Sequence, residues 1–171
     1  MNWIPHIFGI GAMIALFTAY QQKQRGRLLA AKLTADICWS IHYFCLGATA
    51  GMIPNCVGIF RELVFVNRGR RKWASGWGWP VLFASINLCL GIWSFEVWYD
   101  LLPVCASAFV TMSLWLRNPT LTKRISVPVS LTFLIYNVMV GSVVGAINET
   151  VALISLLLFF IKSRKTKEET V

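Results

Sequence analysis

The chain has 171 residues, of which 57% are hydrophobic and 13% charged, with a mean hydropathy of +0.63 and a formal charge of +9. So few polar side chains cannot coat a water-soluble globule of this size, and lipid has to replace water over most of the surface. The basic residues sit in short clusters between apolar runs instead of along one polar face, which speaks against a nucleic-acid-binding surface.

Residues 3–20 match the roughly 20 residues that cross a hydrocarbon core of about 30 Å. No Lys or Arg precedes them, as the basic n-region of a secretory signal would require, so a retained first helix is expected. The stretch from Ala30 to Asn67 is mostly apolar, and as one helix it would reach roughly 55 Å, nearly twice the core. It has to fold back, and Gly47-Ala-Thr-Ala-Gly51 followed by Pro54 marks the reversal, with Pro54 suited to the first turn of the third helix. Gly78 to Phe95 predicts a fourth helix and Trp98 to Leu116 a fifth, with Pro80 and Pro103 near their starts. From Ile125 to Ile161 the length again doubles one crossing, and Gly141, Gly145 and Asn148 supply the interruption between helices six and seven.

Lys and Arg collect in cytoplasmic loops. With the amino terminus outside, all sixteen fall on the inner side, in clusters around Lys23 to Lys32, Arg61 to Lys72, Arg117 to Arg124 and Lys162 to Lys167. The opposite loops carry only Glu96, Asp100 and Glu149. Trp3, Trp73, Trp77, Trp98 and Trp115 lie near predicted helix ends, as interfacial anchors do. Cys38, Cys45, Cys56, Cys89 and Cys105 all lie in apolar stretches without CxxC spacing and read as small hydrophobic packers.

Slid against itself by 94 residues, the chain places Ile41-His42-Tyr43 on Ile135-Tyr136-Asn137 and Gly47-x-x-x-Gly51 on Gly141-x-x-x-Gly145. The predicted fold is therefore an all-α membrane protein of seven transmembrane helices in a 3+1+3 plan, amino terminus out and carboxyl terminus in. A first three-helix bundle takes residues 1–72, a linker helix 73–96, a second bundle 97–162 and a disordered cytoplasmic tail 163–171. Three crossings end on the side opposite to where they began, so a linker crossing lets the second triplet enter in the same orientation. Parallel repeats of this kind form one transporter plan, with a site near the midplane between halves. Two apolar hairpins with small-residue turns would also look alike without any repeat.

The segments Trp39-Ser-Ile-His-Tyr-Phe-Cys-Leu-Gly47, Leu101-Leu-Pro-Val104 with Trp115 beyond, and Gly145-x-x-x-Glu149 resemble the YgjV-type bacterial inner membrane proteins. The resemblance covers nearly the whole chain and implies a bacterial inner membrane location. It also implies kinship with the SWEET, PQ-loop and KDEL-receptor-like proteins of 3+1+3 helices. No Pro-Gln dipeptide is present, so the signature of the PQ-loop group is missing and no sugar or amino-acid substrate follows from the resemblance.

Polar groups in hydrocarbon are costly and are functional candidates by default. Asp36, Trp39, Ser40 and Tyr43 share a face of the second helix and could line a polar cavity; alternatively Asp36 pairs with Lys32 one turn earlier. Asn55 is the site candidate on the third helix, whereas Arg61 and Glu62 read as an interfacial ion pair. His42 has Cys38 and Cys45 on its face, but three ligands on one helix do not close a metal site, and a hydrogen-bonded interface histidine is the better reading. Tyr136, Asn137 and Glu149 are the corresponding polar positions of the second half, with Glu149 placed at the outer turn, and Asn87 is the lone amide of the linker helix. No HExxH, GxSxG, P-loop or GxGxxG motif is present, so neither enzyme chemistry nor a cofactor is expected. The expectation is a small-solute carrier with lipid and a small polar solute as partners and homo-oligomers left open. A non-transporting receptor or protein-interaction partner of the same fold is the alternative, and its interior should be dry and filled by Leu, Phe and Val.

Overall fold

A computed structural model describes residues 3–21, 24–116 and 119–168. Among them there are seven α-helices and no β-strand: α1 (Ile4–Gln21), α2 (Arg25–Cys45), α3 (Thr49–Asn67), α4 (Gly78–Trp93), α5 (Leu101–Leu116), α6 (Pro119–Met139) and α7 (Val143–Glu168). Short 3-10 turns at Lys72–Ser75 and Trp98–Asp100 lead into α4 and α5. By length and composition, three helical segments among the described residues are long and apolar enough to cross a membrane: Thr49–Asn67, Trp98–Leu116 and Val143–Ile161. Ile4–Ala19 and Gly78–Trp93 are apolar but shorter.

Both predicted reversals are present, and they are tighter than the glycine pairs suggest. After α2, the Gly47 N–H reaches the Phe44 carbonyl at 3.0 Å and the Ala48 N–H reaches the Tyr43 carbonyl at 2.9 Å. After α6, the Gly141 N–H reaches the Val138 carbonyl at 3.3 Å and the Ser142 N–H reaches the Asn137 carbonyl at 2.8 Å. Each pair is a Schellman cap, which satisfies carbonyls that a helix end leaves without partners. The cap needs a left-handed residue, and Gly47 (φ 68°) and Gly141 (φ 71°) supply it. Gly51, Gly145 and Asn148 belong to the following helices instead of the turns. Pro54 likewise sits one turn deeper than predicted, at the sixth residue of α3.

The helices close into a ring. α2 packs between α1 and α3, and α6 packs between α5 and α7. Contacts of α3 with α5 and of α1 with α7 join the two triplets. α4 stands against α3 and α5 and so braces only one of these two seams. The outside is apolar, with Phe44, Phe109, Trp93 and Leu158 among its exposed side chains, while Arg61, Glu62, Asn87 and Asn137 are buried. This inverts the distribution of a water-soluble protein and suits a lipid surround.

The segment 163–168 continues α7, its Lys, Arg and Glu residues favouring helix with no Gly or Pro after Gly145; residues 169–171 of the expected tail lie outside the described residues. One sequence expectation is corrected. Trp115 is no interfacial anchor: it is fully buried against Phe65 and Trp77, with the Arg68 guanidinium 3.5 Å over its ring and bonded to its carbonyl. Trp3, Trp73, Trp77 and Trp98 are exposed.

A left-handed backbone costs an L-residue roughly 1–2 kcal/mol. Gly47→Ala and Gly141→Ala are each expected to lose about that much stability in thermal unfolding of the detergent-solubilised protein. Gly76→Ala, at a position with φ −73° and no neighbour within 4 Å, should lose nothing.

Candidate functional site

The polar interior has two layers. The first lies beside the two Schellman turns, where α2 and α6 face each other. His42 Nδ1 lies 2.6 Å from the Pro5 carbonyl oxygen and Nε2 lies 2.7 Å from Ser142 Oγ. A carbonyl only accepts, so Nδ1–H is the donor there, and in the neutral ring Nε2 accepts the Ser142 hydroxyl proton. Ser142 Oγ in turn accepts the Gly145 N–H at 3.2 Å. His42 thus ties α1 to the turn before α7.

Beside it, Tyr43 OH donates to Asn137 Oδ1 at 2.7 Å, and Tyr136 OH accepts the Gly51 N–H at 2.7 Å. The rings pack directly: Trp39 stacks on Tyr43 with centroids 5.8 Å apart, and Tyr43 meets Tyr136 at 6.0 Å. Glycines permit these approaches. A Cβ at Gly51 would stand 2.7 Å from Tyr136 and 2.9 Å from Tyr43, and one at Gly9 would stand 2.9 Å from the His42 ring. Trp39, His42, Tyr43, Tyr136 and Asn137 are therefore brought together as a filled cluster.

The second layer is ionic. Asp36 Oδ1 lies 3.3 Å from Lys32 Nζ, and its Oδ2 lies 3.7 Å from Arg61. Glu62 Oε1 lies 3.2 Å from Arg61 and 3.7 Å from Lys32. Arg61 also donates to Thr111 Oγ1 at 3.0 Å, which carries the cluster across from α3 to α5. Gly58 makes room for it, since a Cβ there would collide with the Asp36 carboxylate. The Lys32–Asp36 pair is the alternative weighed in the sequence. The expected Arg61–Glu62 pair is present, and it is enclosed within the bundle: Arg61 is 3% and Glu62 1% exposed, with Asp36 and Lys32 of α2 against them.

The other candidates are placed differently. Glu149 lies two turns inside α7, not at the outer turn, because the reversal ends at Ser142. Its Oε1 accepts from Asn148 Nδ2 at 2.9 Å. Asn55 donates to the Gly51 carbonyl of its own helix at 2.7 Å. Asn87 is apart from the rest, buried in the α4–α5 seam and donating to Ser107 Oγ at 2.8 Å. Among the described residues, no three His, Cys, Asp or Glu side chains are grouped as a metal ion would need. Sequence reasoning passed over Thr111 and Ser142, whose only signal is a small hydroxyl within an apolar stretch.

The model of the Imp-YgjV family, described as bacterial inner membrane protein, matches residues 3–167. No curated protein and no solved structure matches. The chain belongs to that family, which is a family of the bacterial inner membrane. In such a setting, removing one partner of a buried ion pair costs about 3–5 kcal/mol, because the remaining charge is left uncompensated. Arg61→Met is expected to lose about that much in thermal unfolding, and Arg61→Met combined with Glu62→Gln should recover most of it. Equal losses in both variants would show that Glu62 is balanced by other groups.

Proposed function

We propose that the chain is a carrier for a small polar solute, without enzymatic activity, whose site lies between two parallel three-helix bundles joined by a linker helix. All seven helices cross the membrane in this reading, with the amino terminus outside and the carboxyl terminus in the cytoplasm. The bundles are α1–α3 and α5–α7, α4 is the linker, and the plan is that of SWEET-like proteins.

Several relations support a duplicated bundle. The two Schellman turns are 94 residues apart, and Tyr43 and its bonded partner Asn137 are separated by the same number. A residue that touches its own counterpart lies on the axis relating the two halves. Exchanging the triplets also turns the α3–α5 contact into the α7–α1 contact, and both are present. His42 of the first half reaches the turn of the second, and Tyr136, its counterpart, reaches Gly51 beside the turn of the first.

The observation that carries the functional reading is the buried charge on the bundle's inner side. Asp36, one helical turn beyond Lys32 on α2, is 4% exposed and enclosed at the level of Arg61 and Glu62. Ionisable groups within membrane-spanning segments are expensive and mark substrate or ion pathways. The receptor reading calls for an interior of Leu, Phe and Val, whereas Asp36, Arg61, Glu62, His42 and Asn137 occupy it here. The rings close the interface in this conformation, so access requires the bundles to rock apart.

In proteoliposomes screened against small polar metabolites, the wild type is expected to show flux for at least one. Tyr43→Phe, which removes one interhelical hydrogen bond, should change that flux by roughly three- to tenfold. A folded protein with no flux for any solute would overturn the carrier reading. A reporter fused after Lys72 should stay inaccessible from the external medium, and labelling from outside would overturn the proposed topology.

A further inference from the structure

A cavity of about 290 Å³ opens between α5 and α6, away from the polar interior. Its walls include Cys105 and Phe109 of α5 and Arg124, Pro128 and Thr132 of α6. Cys105 and Phe109 are exposed on the outer surface, so the cavity faces the bundle's surroundings. Among the described residues, Arg124 is the only charged one in its lining, and it is exposed. Its guanidinium has no ion pair among the described residues, whereas the neighbouring Lys123 turns to the Phe159 ring, 3.3 Å from its centroid. Pro128 lacks an N–H, so the Arg124 carbonyl has no helical donor four residues on. The crevice therefore presents a cation at one end and apolar walls along the rest.

Arg124 to Thr132 spans eight residues, about 12 Å along the helix, close to the depth of one leaflet of a core about 30 Å thick. We propose that this crevice seats one acyl chain of an anionic phospholipid, with the lipid phosphate paired to Arg124. The apolar walls select a chain, and the unpaired guanidinium selects a headgroup with net negative charge. In a zwitterionic lipid the headgroup's own ammonium competes for the phosphate. Basic pockets between membrane helices recognise lipid headgroups by the same chemistry. The site is independent of the carrier reading and stands or falls separately from it.

The test is lipid binding to the full-length protein in detergent, read by native mass spectrometry and by thermal unfolding. The probes are phosphatidylglycerol, phosphatidylethanolamine and glycerol phosphate. Phosphatidylglycerol should bind roughly fivefold tighter than phosphatidylethanolamine, the contribution of one basic residue at a membrane surface. Glycerol phosphate, which has no chain, should neither bind nor stabilise. Arg124→Gln should abolish the preference between the two lipids while Arg124→Lys keeps it, and Cys105→Trp, which fills the mouth from an exposed position, should weaken both. Retention of the phosphatidylglycerol preference in Arg124→Gln, or equal stabilisation by glycerol phosphate, would refute the site.

Discussion

Inside a membrane no water is at hand to satisfy a polar group, so every donor, acceptor and charge there must find its partner in the protein. The rest of this structure follows from that demand. The turns between α2 and α3 and between α6 and α7 close with their own backbone hydrogen bonds. His42 uses both ring nitrogens, and Arg61 is shared among two carboxylates and a hydroxyl. The His42 and Arg61–Thr111 bonds also join elements that lie far apart in the chain, so there satisfying polar groups and assembling the ring are one process.

The demand is not met everywhere. Asp36 Oδ2, Arg61 Nε, Glu62 Oε2, Asn87 Oδ1 and Trp115 Nε1 are buried without a hydrogen-bond partner among the described residues. Three of these five atoms belong to the ion cluster, which concentrates residual hydrogen-bonding capacity on the inner side of the bundle. A protein selected only for stability would replace such a cluster with well-packed apolar side chains, often without loss.

Helix positions were legible in the sequence because hydrophobic length and glycine-containing turns act locally, and the pairs that close the turns are set within a few residues of each other. Gly47 and Gly141 announced their turns for that reason. The charge of the segment after Lys162 suggests disorder, yet charged residues of high helix propensity also extend a helix, as α7 does to Glu168. Lys32 and Asp36 were legible as a pair because they lie one turn apart on one helix. Their union with Arg61 and Glu62 depends on how closely α2 and α3 pack at Gly58, which no spacing along the chain reveals. Asn87 looked equivalent to the other amides, yet α4 carries it to a separate seam. Glu149 was misplaced because three interruption residues were read as one broad turn, when the first alone completes it.

The two seams of the ring are built unequally. Between α3 and α5 the joint is overlaid by α4 and crossed by the Arg61–Thr111 bond. Between α1 and α7 no helix lies over the joint among the described residues, and a single imidazole links Pro5 to Ser142 across it. Loss of the His42 ring would therefore remove both of these ties from the α1–α7 seam, whereas loss of the Arg61–Thr111 bond would leave α4 across the other.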